Sequence, residues 1–166
     1  TGNPGNCAIT GRQINVSGTL NISGAENIPE RGPALLLCNH VSAIDSILVS
    51  ACTSRQIRFL LYEDYFSLPL LGQIARMTGF FKVPSAGKAK SLGVLLEQIR
   101  KHLENDGLVC VFPEGRLTAN GLVGEFKPGY EKMLPEHTDI PIIPVNISFV
   151  WGSIFSKFSH VKIIAS

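Results

Sequence analysis

Two apolar runs, each followed at once by a polar turn, constrain the fold of this chain more than any other feature. The runs are residues 34–38 and 108–112. The turns that follow them contain the polar residues His40, Asp45, Glu114 and Arg116, together with Gly115. Short apolar runs bounded by turn residues are typical of buried strands, and loops at strand ends commonly carry functional side chains. We therefore expect both turns to contribute to an active site.

Strands and helices alternate along the sequence, which predicts an α/β fold with a mixed β-sheet flanked by helices. The clearest helix covers residues 88–105 and has its apolar side chains on one face. These side chains are Leu92, Leu95, Leu96, Ile99 and Leu103. Further helices are predicted over residues 43–52 and 62–78, the second divided by Pro69. The other predicted strands are a single strand or a hairpin within 13–22, strands over 57–61 and 80–83, and an alternating strand over 145–151. Two prolines restrict the start of that last strand or place it at a sheet edge.

The composition indicates a globular chain and excludes several classes of function. Apolar residues make up 45% of the 166 residues and charged residues 17%, so the chain is not of the disordered class and is long enough to bury a core. A net charge of +2 is too small to favour nucleic-acid binding, which needs a basic stripe. No apolar stretch reaches the ~18 residues that span a bilayer. The four cysteines lack Cys-x-x-Cys spacing and the four histidines are scattered, so we expect neither a disulfide framework nor a bound metal.

His40 and Asp45 form the first candidate site. An imidazole takes up a proton at one nitrogen when a carboxylate holds the other nitrogen in a fixed tautomer, and the carboxylate also stabilises the imidazolium that results. The alternative is structural, because Ser42 and Asp45 have the spacing of a capping box at the start of a helix. A capping box gives no reason for Asn39 and His40. From these residues alone, both interpretations stay open.

Arg116 forms the second candidate site, because a planar guanidinium binds a phosphate through two hydrogen bonds. Gly115 beside it allows the backbone to approach a ligand closely. The alternative is an ordinary loop with an ion pair between arginine and glutamate, which would add little stability. Lys82 is a weaker candidate for a phosphate contact, since a single lysine on a short strand more often lies on a solvated face.

Cys38 is the alternative nucleophile, because residues two apart on a strand share a face and Cys38 is two residues before His40. Strand cysteines are usually buried and inert, and His40 is the one nearby residue able to lower the pKa of this thiol. Ser42 is better explained as a helix cap. The chain has no Gly-x-Ser-x-Gly nucleophile elbow. We therefore expect direct attack by an acceptor alcohol, with a phosphate on that alcohol for Arg116 to hold.

These segments resemble a known family. Residues 39–45 resemble the His-x4-Asp motif of the glycerolipid acyltransferases, the group that contains the 1-acylglycerol-3-phosphate acyltransferases. Residues 112–118 resemble the Phe-Pro-Glu-Gly block of that family, and residues 140–145 resemble its closing proline-rich strand. The order and spacing agree over nearly the whole chain. Residues 79–84 differ, because they lack the arginine that many members carry after Gly-x-Phe-Phe-Ile.

Three other segments resemble the acyltransferase domain of bifunctional 2-acylglycerophosphoethanolamine acyltransferase/acyl-carrier-protein synthetases. These segments are residues 26–29, 83–85 and 151–156. In such proteins the domain precedes an adenylate-forming ligase. The chain also starts at Thr1 and ends at Ser166, directly after residues 160–165, which we interpret as an unfinished strand. We therefore expect residues 1–166 to be a single acyltransferase domain with a glycerol-3-phosphate acyltransferase-like fold, part of a longer polypeptide of this bifunctional kind.

The resemblance implies a mechanism and its partners. His40, oriented by Asp45, removes a proton from the free hydroxyl of a lysophospholipid, either lysophosphatidylethanolamine or lysophosphatidic acid. The alkoxide attacks the thioester of acyl-carrier protein (acyl-ACP) or of coenzyme A (acyl-CoA). The implied substrate-binding residues are Lys82, Glu114, Gly115 and Arg116, of which the two basic ones hold the acceptor phosphate. The thioester is a co-substrate, and neither a cofactor nor a nucleic acid is implied.

The implied location is the cytoplasmic face of a membrane, to which this segment binds peripherally while other domains tether it. Candidate apolar contacts are Phe80, Phe81, Trp151 and Phe155, although each of them fits a place in the core equally well. Two other functions fit the same fold: a non-catalytic domain that binds lipid or acyl carrier, and a thioester hydrolase that uses water in place of the alcohol. The intact polar residues of both turns argue against the first. In a hydrolase, a phosphate-binding arginine would serve only to bind coenzyme A.

Overall fold

The structure is a computed structural model that describes residues 13–15, 19–85, 87–136, 139–148 and 150–151. Its larger sheet has five strands, and a separate two-stranded antiparallel ribbon precedes it along the chain. The ribbon strands are β1 (Gln13–Asn15) and β2 (Thr19–Asn21), so of the two predicted alternatives for this segment the structure has the hairpin. The strands of the larger sheet are β3 (Ala34–Cys38), β4 (Ile57–Tyr62), β5 (Phe81–Val83), β6 (Leu108–Val111) and β7 (Ile142–Val145).

The larger sheet has the strand order β5-β4-β6-β3-β7, and its four pairings are all parallel. The predicted α/β class is therefore confirmed. The structure differs from the predicted mixed sheet in one respect: the larger sheet is parallel throughout, and the antiparallel pairing belongs to the separate β1–β2 ribbon. In a parallel sheet all the carboxyl ends of the strands meet at one edge, so the turns after β3 and β6 come together.

Helices cover both faces of the sheet and explain why its central strands are apolar throughout. The α-helices are α1 (Asp45–Ser50), α2 (Pro69–Met77) and α3 (Ala89–Glu104), with 3₁₀ turns at Ala25–Asn27, Glu63–Ser67 and Tyr130–Met133. Every residue of β3 and β6 is buried, as expected for strands covered on both faces. One face packs on Leu95, Ile99 and Leu103 of α3, and the other packs on Val49 of α1.

Most predicted helices are confirmed with shorter bounds. The predicted helix 88–105 is α3, although Leu92 on its predicted apolar face is 46% exposed. Pro69 divides the predicted helical stretch as expected, because it starts α2 and the 3₁₀ turn lies before it. The helix predicted over 43–52 is reduced to α1, since residues 43 and 44 form a turn.

The last strand is shifted from its predicted place. The alternating pattern predicted residues 145–151, but β7 is Ile142–Val145. It pairs with β3 and ends opposite Cys38, where β3 also ends, so the partner strand sets its limit. The prediction that prolines place this strand at a sheet edge is confirmed. Phe155 and residues 160–165 lie outside the described residues.

Within the ranges that the structure describes, no helix is long and apolar enough to cross a membrane.

Candidate active site

His40 and Asp45 are joined by a hydrogen bond between Nδ1 of the imidazole and Oδ2 of the carboxylate, at 2.8 Å. His40 follows β3 directly, and Asp45 is the first residue of α1, so the turn between them folds the two side chains together. Asp45 is completely buried, whereas the side chain of His40 is 24% exposed. Among the described residues, Nε2 has no hydrogen-bond partner. The imidazole therefore has one nitrogen fixed by a carboxylate and the other open to a substrate.

The same carboxylate organises the backbone of the turn. Oδ2 of Asp45 accepts hydrogen bonds from the backbone N–H groups of Val41, at 2.7 Å, and Ser42, at 3.0 Å. The Ser42 hydroxyl donates to Oδ1. The prediction of Ser42 as a helix cap is wrong, because the N-cap position is Ile44 and no side chain caps α1. The physical reason is that the serine hydroxyl is directed to the carboxylate of Asp45 and accepts no hydrogen bond from a backbone N–H of the first helical turn, which a cap requires.

Glu114 connects the two predicted turns. Its Oε1 accepts a hydrogen bond from the backbone N–H of His40 at 3.0 Å, across 74 positions of sequence. Its Oε2 accepts from the backbone N–H of Gly124 at 2.8 Å. Glu114 is 5% exposed, and both of its oxygens are engaged by backbone groups. The structure thus brings Glu114 to His40 but places its carboxylate against the backbone, where it positions the histidine.

The ring of His40 stacks on the ring of Phe112, with the ring centroids 4.2 Å apart and the planes inclined by 17°. Phe112 is the residue after β6 and packs in turn on Phe59 of β4. The stacking fixes the ring plane while the carboxylate fixes one ring nitrogen. Cys38, the alternative nucleophile, is fully buried, and burial raises the pKa of its thiol to about 12. The thiolate needed for nucleophilic attack is therefore disfavoured at Cys38.

Arg116 is exposed at the turn that follows β6. Gly115 before it has φ 66°, a left-handed conformation that favours glycine. Within the described part of the chain, the Arg116 guanidinium has no hydrogen-bond or ion-pair partner, so the alternative of an ion pair with Glu114 is not what the structure has. Arg116 is therefore available to an anionic ligand.

Lys127 also lies beside this turn, although no feature of the sequence predicted it there. A Cβ added to Gly115 would be 3.0 Å from Nζ of Lys127. The backbone N–H of Lys127 donates to the carbonyl of Pro113 at 3.0 Å, which returns the chain to the turn eleven residues after Arg116. No motif marks this lysine, because only the long-range backbone contact brings it to the site.

Lys82 lies elsewhere on the sheet. It is on the edge strand β5, three strands from β3, which at a strand spacing of ~4.8 Å is roughly 14 Å away. Its Nζ lies 5.8 Å from the centroid of the Phe66 ring. It lines a groove of about 540 Å³ together with Arg58, Lys101 and His102. The structure therefore brings His40, Asp45, Glu114 and Gly115 together but not Lys82.

Two further residues support the turn after β3. The side-chain amide of Asn39 donates to the carbonyl of Ile147 at 2.8 Å and accepts from its backbone N–H at 2.7 Å. The backbone N–H of Thr118 donates to the carbonyl of His40 at 2.8 Å. Asn39 thus continues the pairing of β3 with the segment after β7. The sequence drew attention to Asn39, because a capping box does not explain it, but nothing in the sequence indicated its partner Ile147, 108 residues away.

Phe81 is buried in the core and the partly buried Phe80 packs against the core, so for these two rings the structure has core packing, the alternative to membrane contact. Phe81 is 5% exposed and packs with α3, and Phe80 packs on Phe59. Phe81 begins the edge strand β5, and both residues line the groove that contains Lys82. Trp151 is partly buried and packs against Gly121.

Comparison with known sequences identifies the family of the chain. A sequence model of the family described as Acyltransferase matches residues 19–148, which include both turns. The chain belongs to the acyltransferase family.

The relatives of this acyltransferase chain include plant and mycobacterial proteins. It is 26% identical over 129 residues to the chloroplastic 1-acyl-sn-glycerol-3-phosphate acyltransferase of Arabidopsis thaliana, covering 77% of this chain and 35% of the relative. It is also 26% identical to the 1-acyl-sn-glycerol-3-phosphate acyltransferase of Limnanthes alba, covering 76% and 44%. An uncharacterised Mycobacterium tuberculosis protein is 27% identical, covering 88% and 41%. The chain thus spans less than half the length of these relatives.

The fold of this acyltransferase chain resembles a crystal structure of the 1-acyl-sn-glycerophosphate acyltransferase PlsC from Thermotoga maritima. The TM-score is 0.53 at 21% sequence identity, and the match covers 75% of this chain and 56% of the other. At this identity the similarity shows a shared fold.

Proposed function

We propose that this chain transfers an acyl group from a thioester to the free hydroxyl of a lysophospholipid, with His40 as general base. The observation that carries the proposal is the 2.8 Å hydrogen bond from Nδ1 of His40 to the buried carboxylate of Asp45, with Nε2 left open. The family match and relatives named as 1-acyl-sn-glycerol-3-phosphate acyltransferases support the acyl-transfer reaction and this class of acceptor.

In the proposed reaction, Nε2 of His40 takes the proton of the acceptor hydroxyl as its oxygen attacks the thioester carbonyl. A new C–O bond forms, the C–S bond then breaks, and the leaving sulfur takes the proton back from the imidazolium. Asp45 stays ionised throughout and stabilises that imidazolium. No cofactor takes part, because the acyl donor, acyl-ACP or acyl-CoA, is a co-substrate.

The acceptor phosphate is assigned to the turn after β6. Arg116 is exposed and without a partner among the described residues, and Lys127 lies beside Gly115. A guanidinium binds a phosphate through two hydrogen bonds, and a second cation adds further attraction. Glu114 and Gly115 shape this turn, and Lys82 is too far across the sheet to share the same phosphate. Acceptors of this class are lysophosphatidic acid and lysophosphatidylethanolamine, at the cytoplasmic surface of a membrane.

The test is an assay with a labelled acyl thioester, with and without lysophosphatidic acid or lysophosphatidylethanolamine. Transfer of label to the phospholipid only when acceptor is present supports the proposal. Release of free fatty acid without acceptor would show a thioester hydrolase, and binding without turnover would show a non-catalytic domain.

Arg116 provides the second test. A charge-assisted hydrogen bond contributes roughly 1.5 to 3 kcal/mol, so Arg116→Ala should lower kcat/KM for the lysophospholipid about ten- to hundredfold, and Arg116→Lys should restore only part. The matched control is Arg31→Ala, an exposed arginine in the connector before β3, at the other end of the sheet. If only the constants for the thioester change, Arg116 binds the donor and the assignment is wrong.

A further inference from the structure

Residues 117–127, the apical loop, are fastened to the strand end that carries His40. Glu114 bridges the two, since one of its oxygens accepts from the backbone N–H of His40 and the other from that of Gly124. The backbone N–H of Thr118 donates to the carbonyl of His40 at 2.8 Å. The position of the apical loop is therefore coupled through hydrogen bonds to the position of the proposed general base.

The apical loop exposes three large apolar side chains. The exposed fractions are 68% for Leu122, 56% for Val123 and 42% for Phe126. The loop is held in place at this point, because the carbonyl of Leu122 accepts a hydrogen bond from the hydroxyl of Thr118 at 2.8 Å. Apolar side chains gain free energy by leaving water, and neighbouring exposed ones commonly mark an interaction surface.

Two cations flank the apolar side chains. Arg116 precedes the apical loop and Lys127 ends it, and neither side chain has an ion-pair partner among the residues described. Glu125 is the one acidic residue of the segment from Arg116 to Lys127, so the segment carries a net positive charge. An apolar tip between cations suits the boundary between acyl chains and anionic headgroups in a phospholipid leaflet.

We propose that the apical loop docks this chain on an anionic phospholipid leaflet and thereby presents the acceptor lipid to His40. Leu122, Val123 and Phe126 enter the boundary of the acyl chains, while Arg116 and Lys127 contact lipid phosphates. The inference rests on the proposed function, because a lysophospholipid acceptor resides in such a leaflet. The hydrogen bonds through Glu114 and Thr118 hold the docked surface at a fixed distance from the imidazole.

The apical loop is a better candidate than α2 for the surface that docks on the leaflet, although α2 also exposes apolar side chains. Leu70 and Met77 of α2 are 73% and 78% exposed, while the small residues Gly72 and Ala75 face the body of the protein. The α2 helix returns the chain from the carboxyl end of β4 to the amino end of β5. Its far end therefore lies away from the site, and no described hydrogen bond joins it to His40.

The test compares two double variants of the full chain for binding to vesicles of phosphatidylglycerol and phosphatidylcholine. The loop variant is Leu122→Ser with Val123→Ser. The control is Ile74→Ser with Met77→Ser, in the half of α2 that lies away from the site, where the two residues are 43% and 78% exposed. Since full burial of one such side chain favours partitioning by about ten- to hundredfold, the loop variant should lose at least about tenfold in vesicle affinity. The control should bind like the unmodified chain. Thermal denaturation checks that both variants are folded.

Activity distinguishes this inference from the proposed function. The loop variant should lose turnover of lysophosphatidic acid embedded in vesicles but keep turnover of a short-chain, monomeric lysophosphatidic acid. Equal vesicle binding by the loop variant and the unmodified chain would overturn the inference, and so would loss of binding in the control alone. If the unmodified chain bound vesicles of pure phosphatidylcholine as strongly as vesicles that contain phosphatidylglycerol, the role of Arg116 and Lys127 would be refuted. Absence of turnover of both substrates by the unmodified chain would instead refute the proposed function.

Discussion

Replacing Asp45 with asparagine separates the charge of this carboxylate from its hydrogen bonds. Three hydrogen bonds converge on Oδ2, from the imidazole and from the backbone N–H groups of Val41 and Ser42. The amide oxygen of asparagine can take that position, accepting from the imidazole with one lone pair and from the two consecutive backbone N–H groups with the other. The amide nitrogen then faces the Ser42 hydroxyl, which can turn to accept. The turn and the tautomer of His40 are therefore preserved, and only the negative charge is removed.

The expected loss of activity follows from that charge. Opposite charges about 4 Å apart attract by about 4 kcal/mol at an effective dielectric constant near 20. Since Asp45 is fully buried and the imidazole partly exposed, some of this attraction is screened. Each 1.36 kcal/mol corresponds to about a factor of ten in rate, so kcat should fall about 10²- to 10³-fold. The unfolding free energy of Asp45→Asn should change by less than about 1 kcal/mol, because every hydrogen bond keeps a partner.

Asp45→Ala is the contrasting variant. It leaves the backbone N–H groups of Val41 and Ser42 buried without an acceptor, at about 1 to 3 kcal/mol each, so its midpoint of thermal unfolding should fall strongly. The measurements are kcat with lysophosphatidic acid and acyl thioester, together with thermal denaturation of both variants. If Asp45→Asn retained kcat within about threefold, or if its stability fell as far as that of Asp45→Ala, the carboxylate would serve the turn and not the imidazolium.

Three further predictions concern other residues of the described chain. His40→Ala should remain folded and lose about 10² to 10⁴ in rate; near-normal turnover in the labelled-thioester assay would exclude it as the base. Glu114→Gln should lower the free energy of unfolding, measured with denaturant, by about 1 to 3 kcal/mol, which is more than for Asp45→Asn. The reason is that each oxygen of Glu114 accepts from a different backbone N–H, and the single oxygen of an amide cannot accept from both. An equal effect of the two substitutions would contradict this reasoning. The hydrogen bond from Lys88, with those from Ser85, lowers the pKa of Glu63 from 4.5 to about 2. A carboxyl group whose pKa is lowered in the folded state stabilises the fold above pH ~4.5, and this stabilisation is lost as the pH falls towards 2. The difference in thermal midpoint between the unmodified chain and Glu63→Gln should therefore narrow over that range. A difference independent of pH would refute the pairing of Glu63 with Lys88.

Much of the site was predictable because its central pair is local. His40 and Asp45 are five positions apart, across the end of a strand and the start of a helix, so a single turn is enough to bring them together. Buried strands and the amphipathic α3 were predictable for the same reason, since their side-chain periodicity is written along a short segment. The errors also have local causes, because the capping-box pattern of Ser42 and Asp45 fits both a cap and the hydrogen bonds that the structure has.

The sequence by itself determined the apolar runs of β3 and β6, the face of α3 and the pairing of His40 with Asp45. Only the tertiary structure decided that Glu114 holds the backbone of His40, that Asn39 pairs with Ile147, and that Lys127 lies beside Gly115. It also placed Lys82 three strands away from β3. The physical reason is that these contacts depend on strand order and on hydrogen bonds to backbone groups. Every residue except proline presents the same backbone donor and acceptor, so no pattern of side chains in the sequence marks which of them will meet.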